Sequence, residues 1–449
     1  MNSDQKKKYV AVGTGGRVAM FIDPLVRDFA DQGELVGLCD TSQTRMNFHL
    51  QRLARDYGHP EVPAYLAADF ERMVQETGAD VVIVTTQDST HDEYIIKALH
   101  LGCDVVTEKP MTTDEVKCRA ILEAVEATGK SVRVAFNYRW APGATKVREL
   151  IDSGVIGRVH AVNLEYQLNT SHGADYFRRW HATKENSGGL LVHKSTHHFD
   201  LVNWWINAVP QEVFAYGDLN FYGKENAIAR GDEAYTSYER YTGADESEND
   251  PFALRLDKGS AKELYLDAES ETGYVRDRNV FREGINIEDT MAVLVRYRTG
   301  VVLTYSLVAY SPQEGFRVTF TGDKGRIEYT EMHASHIIMG QSDTELAEQQ
   351  KGAENFMNLR VVPLFQGGYE VPIQVAEGGH GGGDPLLQEQ VFSSTAPEEK
   401  FGRNAGHEQG AASILVGIAA NHSIASGQPV RIDTLCSVAP EAKHLSELI

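Results

Sequence analysis

The sequence predicts an α/β domain built on a doubly wound parallel sheet, followed by a longer α+β domain of alternating strands. Three observations carry this reading. From Tyr9 to Phe136 short apolar runs alternate with stretches of helical periodicity, the signature of a parallel sheet with crossover helices. The first apolar run ends in a glycine turn, Gly13-Thr14-Gly15-Gly16-Arg17. Beyond Val159 the pattern changes to strands of period two divided by turn residues.

Size and charge narrow the function. A chain of 449 residues is too long for one ordinary core, which favours two domains. Its formal charge of -21 argues against nucleic acid or an anionic membrane surface, both of which need a basic face. A small neutral or locally captured substrate fits better. Cys39, Cys103, Cys118 and Cys436 have no CxxC spacing, so neither zinc nor a disulfide framework is expected, and four reduced thiols suit the cytoplasm. Met1–Lys8 is polar, and no apolar run approaches membrane-spanning length. A soluble cytoplasmic protein with no membrane partner is expected.

In the first domain the strand Tyr9–Val12 runs through the glycine turn into a helix over Val18–Phe29. Gly13 permits the tight turn, and Gly15 lets backbone amides approach a pyrophosphate at the helix N-terminus. The third glycine of the dinucleotide fingerprint is replaced by Val18. The second strand, Leu35–Cys39, ends in Asp40, placed to bind an adenosine ribose; its carboxylate would repel a 2'-phosphate, which favours NAD over NADP. As a bland alternative Asp40 caps the next helix. The expected elements continue as helices over 45–57 and 70–77, strand 80–85, helix 91–101, strand 103–107, helix 114–128 and strand 131–136.

Ligands of such sheets bind outside the carboxyl ends of the strands. Those ends hold Gly13 to Arg17, Asp40, Thr86-Gln87-Asp88, Glu108-Lys109-Pro110 and Asn137-Tyr138-Arg139. Lys109 precedes a proline and so is held out of helical geometry at the sheet's mouth. Taken alone it reads as a solvated strand-end lysine.

In company these pieces resemble the glucose-fructose oxidoreductase/inositol dehydrogenase/MocA family of NAD(P)-dependent sugar-acting enzymes. The resemblance rests on the glycine turn, Thr86-Gln87-Asp88-Ser89-Thr90-His91, Glu108-Lys109-Pro110 and Asn137-Tyr138-Arg139-Trp140, in that order. It implies a Rossmann domain over residues 1–140 that binds NAD through Gly13, Thr14, Gly15, Gly16, Arg17, Asp40, Thr86, Gln87, Asp88, His91, Glu108, Lys109 and Asn137. It also implies an active-site role for Lys109 and a cis peptide before Pro110. Tyr138 and Arg139 are placed with the substrate.

Residues 141–449 then match the family's second domain, an open, mostly antiparallel sheet that binds substrate and mediates homo-oligomers, dimers or tetramers. A helix over 143–152 leads to strand 159–168; further strands are expected over 212–221, 290–297, 301–309, 317–321 and 325–329. Between them, Leu190 to Asp200 resembles the family's Asp-x-Gly-x-His stretch. His193 replaces the Asp, Lys194 is added, and His197 matches outright. Four residues apart on a helix, His193 and His197 are expected to face the nicotinamide cleft together, with His198 aside. The bland alternative for each is a histidine bonded to backbone. A histidine pair also raises a metal, but the glutamate of HExxH is missing and Lys194 disfavours a dication, so no metal is expected.

Trp180, Lys194 and, in the glycine-rich loop Gly379–Asp384, His380 and Asp384 are the remaining substrate candidates; for that loop a purely structural role, its glycines approaching another chain segment, is the favoured alternative. Two insertions, about 222–283 and 341–378, match nothing in the family. The first is rich in tyrosine and is a candidate cover for the cleft; ordinary packing explains it as well. A closing helix over 411–426 is expected to pack back on the first domain.

The reading is an enzyme that moves hydride between nicotinamide and a secondary hydroxyl of a sugar or cyclitol. Hydride loss needs simultaneous loss of the hydroxyl proton. His197 is assigned as base and Lys109 as the group that binds the oxygen, their order left open. The rival is a redox-neutral glycoside hydrolase or lyase that oxidises, eliminates and reduces again on one bound NAD, with His193 and Lys194 as extra proton-transfer groups. A non-catalytic NAD sensor ranks last because Lys109 is present.

Overall fold

The computed structural model describes residues 6–334, 356–374 and 379–449. Strands β1 (Lys7–Val12), β2 (Gly33–Asp40), β3 (Ala64–Leu66), β4 (Val81–Val84), β5 (Asp104–Thr107) and β6 (Val132–Val134) form a parallel sheet in the order β6-β5-β4-β1-β2-β3. Helices α1 (Ala19–Arg27), α2 (Gln43–Tyr57), α3 (Phe70–Thr77), α4 (His91–His100) and α5 (Glu115–Thr128) make the crossovers. The strands are apolar throughout because both faces are covered: Val10, Val12, Val82 and Val84 pack into one core, while Tyr9, Ala11, Val81 and Ile83 pack into another. Strand order reverses between β1 and β4, which makes their carboxyl ends the binding crevice.

The expected first helix starts later than its periodicity suggests, because Gly16–Val18 forms a 3-10 turn first. β3 has no counterpart in the sequence pattern; it is three residues long, too short to show a period.

Helix α6 (Pro142–Asp152) leads into β7 (Val159–Asn169), and α7 (Thr170–Arg178), α8 (Lys184–Ser187), α9 (Leu190–His193) and α10 (Thr196–Trp205) follow. With β8 (Pro210–Asp218), β9 (Thr290–Tyr297), β10 (Val302–Ser311), β11 (Glu314–Gly322), β12 (Gly325–Ala334), β13 (Phe356–Pro363) and β14 (Tyr369–Glu370), the second sheet runs β14-β13-β12-β11-β7-β10-β9-β8. All its pairs are antiparallel except β7 with β10. Burial alternates along β9, so one face meets the helices and the other is open, with Tyr216, Leu294 and Val302 exposed on it.

The C-terminal chain completes both sheets. β15 (Ala405–Gly406) pairs antiparallel with β6, and β16 (Val430–Arg431) with β8. Between them the helix His407–Ser426 is buried along most of its length. Its glycines permit this: a Cβ at Gly410 would press on Val134 and Met111, and one at Gly417 on the Leu191 carbonyl.

Residues 379–384 are not a loop; they open the helix Gly379–Phe392. Gly383 lets that helix approach the Asn137 carbonyl, where a Cβ would lie 2.3 Å away. Of the insertion at 341–378, residues 341–355 and 375–378 lie outside the described residues, and the rest supplies β13 and β14. No helix among the described residues is long and apolar enough to cross a membrane.

Candidate active site

A cleft of about 780 Å³ opens at the carboxyl ends of β1, β2, β4 and β5 and continues under the second lobe. Its first half is made by the glycine turn. A Cβ at Gly13 would strike the Thr85 and Thr86 backbone at 2.6 Å, whereas Gly15 faces open space. Thr14 lies beneath the turn, where its amide and hydroxyl both donate to Asp40 Oδ2, at 2.5 and 2.9 Å. Asp40 Oδ1 accepts from the Ser42 amide at 2.9 Å, so the carboxylate ties the turn to β2 as well as lining the cleft. Arg17 Nε donates to Glu108 Oε1 at 2.5 Å, which joins the turn to the end of β5. Thr86, Gln87, Asp88 and His91 complete this wall. The His91 ring is held between the Pro110 and Thr86 carbonyls, at 2.8 and 3.2 Å, and burial pushes its pKa down.

The tyrosine-rich insertion roofs this half. Tyr265 Oη accepts the Gly16 amide proton at 3.0 Å. Glu271 receives Ser42 Oγ, the Thr44 amide and Thr44 Oγ1 at 2.5, 3.1 and 2.6 Å, at the start of α2. Arg45 donates to the Leu264 carbonyl and lies over the Tyr265 and Tyr274 rings, 5.7 Å from each centroid.

The second half gathers the proton-transfer groups. The Lys109–Pro110 peptide is cis, as the resemblance implies. Lys109 Nζ donates to the His193 carbonyl at 3.2 Å; burial pushes its pKa down against the opposing pull of Glu108 and Asp88. His193 Nδ1 and Asp88 Oδ2 share a hydrogen bond of 2.5 Å. Burial, with Lys109, Arg179 and Lys194 nearby, pushes His193 well down, and burial pushes Asp88 up. His193 is therefore a neutral imidazole near pH 7. Lys194 Nζ donates to Tyr138 Oη at 3.4 Å and lies 5.0 Å above the Tyr166 ring; burial first, then Lys109, lowers its pKa to about 8, against Glu314. His197 stacks on Tyr138 at 4.5 Å, and Trp180 stacks on His181 at 3.5 Å.

His193 and His197 both line the cleft, but not from one helix: α9 ends at His193 and α10 starts at Thr196. His198 is turned aside as expected, with Nδ1 against Tyr305 Oη at 2.8 Å.

Three expected ligand contacts are not brought to the cleft. Arg139 is fully buried, paired in two bonds with Asp200 and bonded to Gln409 Oε1 and the Gly402 carbonyl. Its fork fits a carboxylate of α10 in place of a substrate, and that requirement sets its position. Asn137 Nδ2 donates to Asp384 Oδ1 at 2.7 Å, so this pair joins the 3-10 turn after β6 to the helix Gly379–Phe392. The His380 side chain lies outside the described residues. Conversely, His172, Tyr176, Arg179, His181 and Arg276 line the cleft without having been read from the sequence. The signal for the first two is Asn169, which caps α7 by accepting the His172 amide. Among the described residues no group of three His, Cys, Asp or Glu side chains is arranged to hold a metal.

The site fits a nicotinamide dinucleotide: a glycine turn at a helix start, free space above Gly15 and a carboxylate at the end of β2. Residues 7–136 match the family model described as "Oxidoreductase family, NAD-binding Rossmann fold", and 148–432 match "Oxidoreductase family, C-terminal alpha/beta domain". The chain belongs to the glucose-fructose oxidoreductase/inositol dehydrogenase/MocA family. It is an NAD-binding oxidoreductase by that membership.

Within the family, a relative described as "Putative oxidoreductase YteT" from Bacillus subtilis (strain 168) is 39% identical over 96% of this chain and 98% of its own length. "Inositol 2-dehydrogenase" of Rhizobium meliloti (strain 1021) is 25% identical over 61% of this chain and 72% of its own. Among solved structures, aldose-aldose oxidoreductase from Caulobacter crescentus covers 95% of this chain and 100% of its own, with TM-score 0.60 and 15% identity, a likeness of fold. This member departs from the family pattern at His193, where the resemblance leads one to expect Asp.

Proposed function

We propose that this oxidoreductase transfers hydride between nicotinamide and a secondary hydroxyl or keto group of a sugar, sugar derivative or cyclitol. The hydrogen bond between His193 and Asp88, beside Lys109, carries the reading. In this reading the shared proton sits on Nδ1 and Asp88, which Lys109 and Arg179 favour as the carboxylate against its burial, accepts it; Nε2 is then left as an acceptor, the arrangement of a general base. His193, in place of the His197 assigned from the sequence, thus takes the hydroxyl proton because it is the histidine bonded to Asp88; Lys109 binds the oxygen, and His197, stacked on Tyr138, shapes the substrate pocket with Lys194 and Trp180. NAD supplies the hydride acceptor when bound. Inositol dehydrogenases among the relatives support a polyol of this kind.

Asp40 is proposed to bind the adenosine ribose and to set the preference for NAD. Arg45 Nη1 stands 3.9 Å from its carboxylate. Asp40→Ala should narrow or invert the preference, because the repulsive carboxylate is lost and a guanidinium is freed for a 2'-phosphate. Calorimetric Kd values for NAD and NADP check this; an unchanged ratio moves the ribose contact elsewhere.

The roof formed by Tyr265 and Glu271 favours a second reading, redox-neutral glycoside cleavage on a retained cofactor. The two readings differ in stoichiometry. With substoichiometric NAD and a panel of sugars and glycosides, a dehydrogenase stops at one NADH per NAD, whereas a redox-neutral enzyme releases aglycone in excess of total NAD without accumulating NADH. The open face of the second sheet, with Tyr216, Leu294 and Val302, supports a homo-oligomer.

A further inference from the structure

Helix α7 carries a chain of groups that the reaction above leaves unused. Tyr176 Oη is 2.9 Å from His172 Nε2, and His172 Nδ1 is 2.8 Å from Glu314 Oε1 at the start of β11. One end lies deep in the cleft, where the buried Tyr176 ring meets the His193 ring edge-on at 5.4 Å. The other end reaches water where His172, which also lines the cleft, has a side chain 42% exposed. Helix α7 is held to this course by Gly173, where a Cβ would overlap the Ala309 carbonyl oxygen of β10.

We propose that Tyr176, His172 and Glu314 form a proton relay between the buried cleft and bulk solvent. This inference rests on the oxidoreductase reading of the same cleft. In the oxidation direction the substrate's hydride leaves carbon for nicotinamide, and its hydroxyl proton passes to His193. That proton then passes through a cleft water, the rings themselves meeting only edge-on, to the Tyr176 oxygen as the phenol's own proton moves to His172 Nε2. The resulting imidazolium, with Nδ1–H on Glu314, returns its Nε2 proton to water, and every group ends as it began. Reduction runs the same path inward.

The electrostatics call for an exit. His193 and His181 are both pushed well down by burial and by the cations Lys109 and Arg179, so a proton held among them is costly. His172 instead abuts Glu314, which hydrogen bonding to His172 and the nearby Lys194 and His333 hold down at about 2 against burial, so a carboxylate faces the imidazolium. Burial pushes the Tyr176 phenol well up, so it passes protons without resting as phenolate. The titratable and charged groups around the relay are Glu314 from β11, Lys194 after α9, His193 of α9, His181 after α7, Tyr138 after β6, His333 from β12 and Arg179 and Asp175 at the end of α7.

The test has two arms on the full-length, NAD-loaded protein. The first needs no substrate: with 15N-labelled histidine, His172 should carry its proton on Nδ1, and Tyr176→Phe should move its Nε2 signal. A proton on Nε2, or a signal unmoved by Tyr176→Phe, overturns the relay. The second uses the panel sugar with the highest NADH yield. Tyr176→Phe and His172→Ala should each lower kcat by about 10²-fold with KM unchanged, and added imidazole should restore His172→Ala but not Tyr176→Phe. His172→Gln gives a second variant where His172→Ala fails to fold. Wild-type kcat, or a loss confined to KM, overturns the relay. A panel with no turnover at all counts against the oxidoreductase reading, and the tautomer arm still decides the relay.

Discussion

Lys109→Ala is expected to lower turnover by about 10²-fold or more while the fold survives. The side chain is a half-buried cation whose donor points along the cleft wall to the His193 carbonyl, so removing it deletes the group proposed to hold the reacting oxygen without opening a core. Burial already penalises its charge, which is why the change should cost little stability. Steady-state kcat on the best panel sugar, alongside a thermal melt, checks both halves. The pH profile sharpens the test. The ammonium is the form that binds an oxygen, and its pKa is lowered from 10.5, so wild-type activity should fall as pH rises through a value below that figure. Lys194, near 8, titrates in both proteins, so the limb lost in Lys109→Ala belongs to Lys109. Turnover within threefold of wild type would remove Lys109 from the mechanism.

Arg139→Met should destabilise the protein by about 3 to 5 kcal/mol, the cost of leaving one partner of a buried ion pair. Asp200 faces it at 2.6 and 2.8 Å with both side chains almost wholly excluded from water. The same guanidinium bonds Gln409 and the Gly402 carbonyl, so it joins the 3-10 turn after β6 to α10 and to the C-terminal chain. Chemical denaturation reads the loss. The double variant Arg139→Met/Asp200→Leu should recover most of it, because an apolar pair of similar volume needs no compensation. A stable single variant with altered substrate preference would return Arg139 to the substrate.

Both variants touch motifs that the sequence displays, and only Lys109 stands where its motif implied, on the wall of the cleft. The nucleotide half was legible because its signals are local: a glycine turn after an apolar run and a carboxylate at the end of the next strand. Arg139 sits in an equally visible motif, yet its partners are 61 and 270 residues away, and no spacing along the chain reveals them. Helix α7 escaped notice because Gly173 and the polar start Thr170-Ser171-His172 weaken its periodicity; the glycine answers to β10, a constraint that exists only after folding. The break between α9 and α10 hides in the same way, since Lys194 and Ser195 look helical and the turn follows from Ser195 Oγ meeting Tyr305 Oη at 2.8 Å. The roof over the glycine turn depends on Tyr265 reaching Gly16, 249 positions away.

The pairing of β15 with β6 bears on how the protein is made. β6 is the outer parallel strand of the first sheet, and its free side is covered by residues 405–406, with the helix Gly410 lies in packed against it. A ribosome delivers every other strand of that sheet long before these residues. During synthesis the nucleotide lobe therefore waits with Val132 and Val134 on an unpaired edge, the kind of edge that recruits strands from other chains. Chaperone demand should be concentrated in that interval, and it should end when the late segment docks.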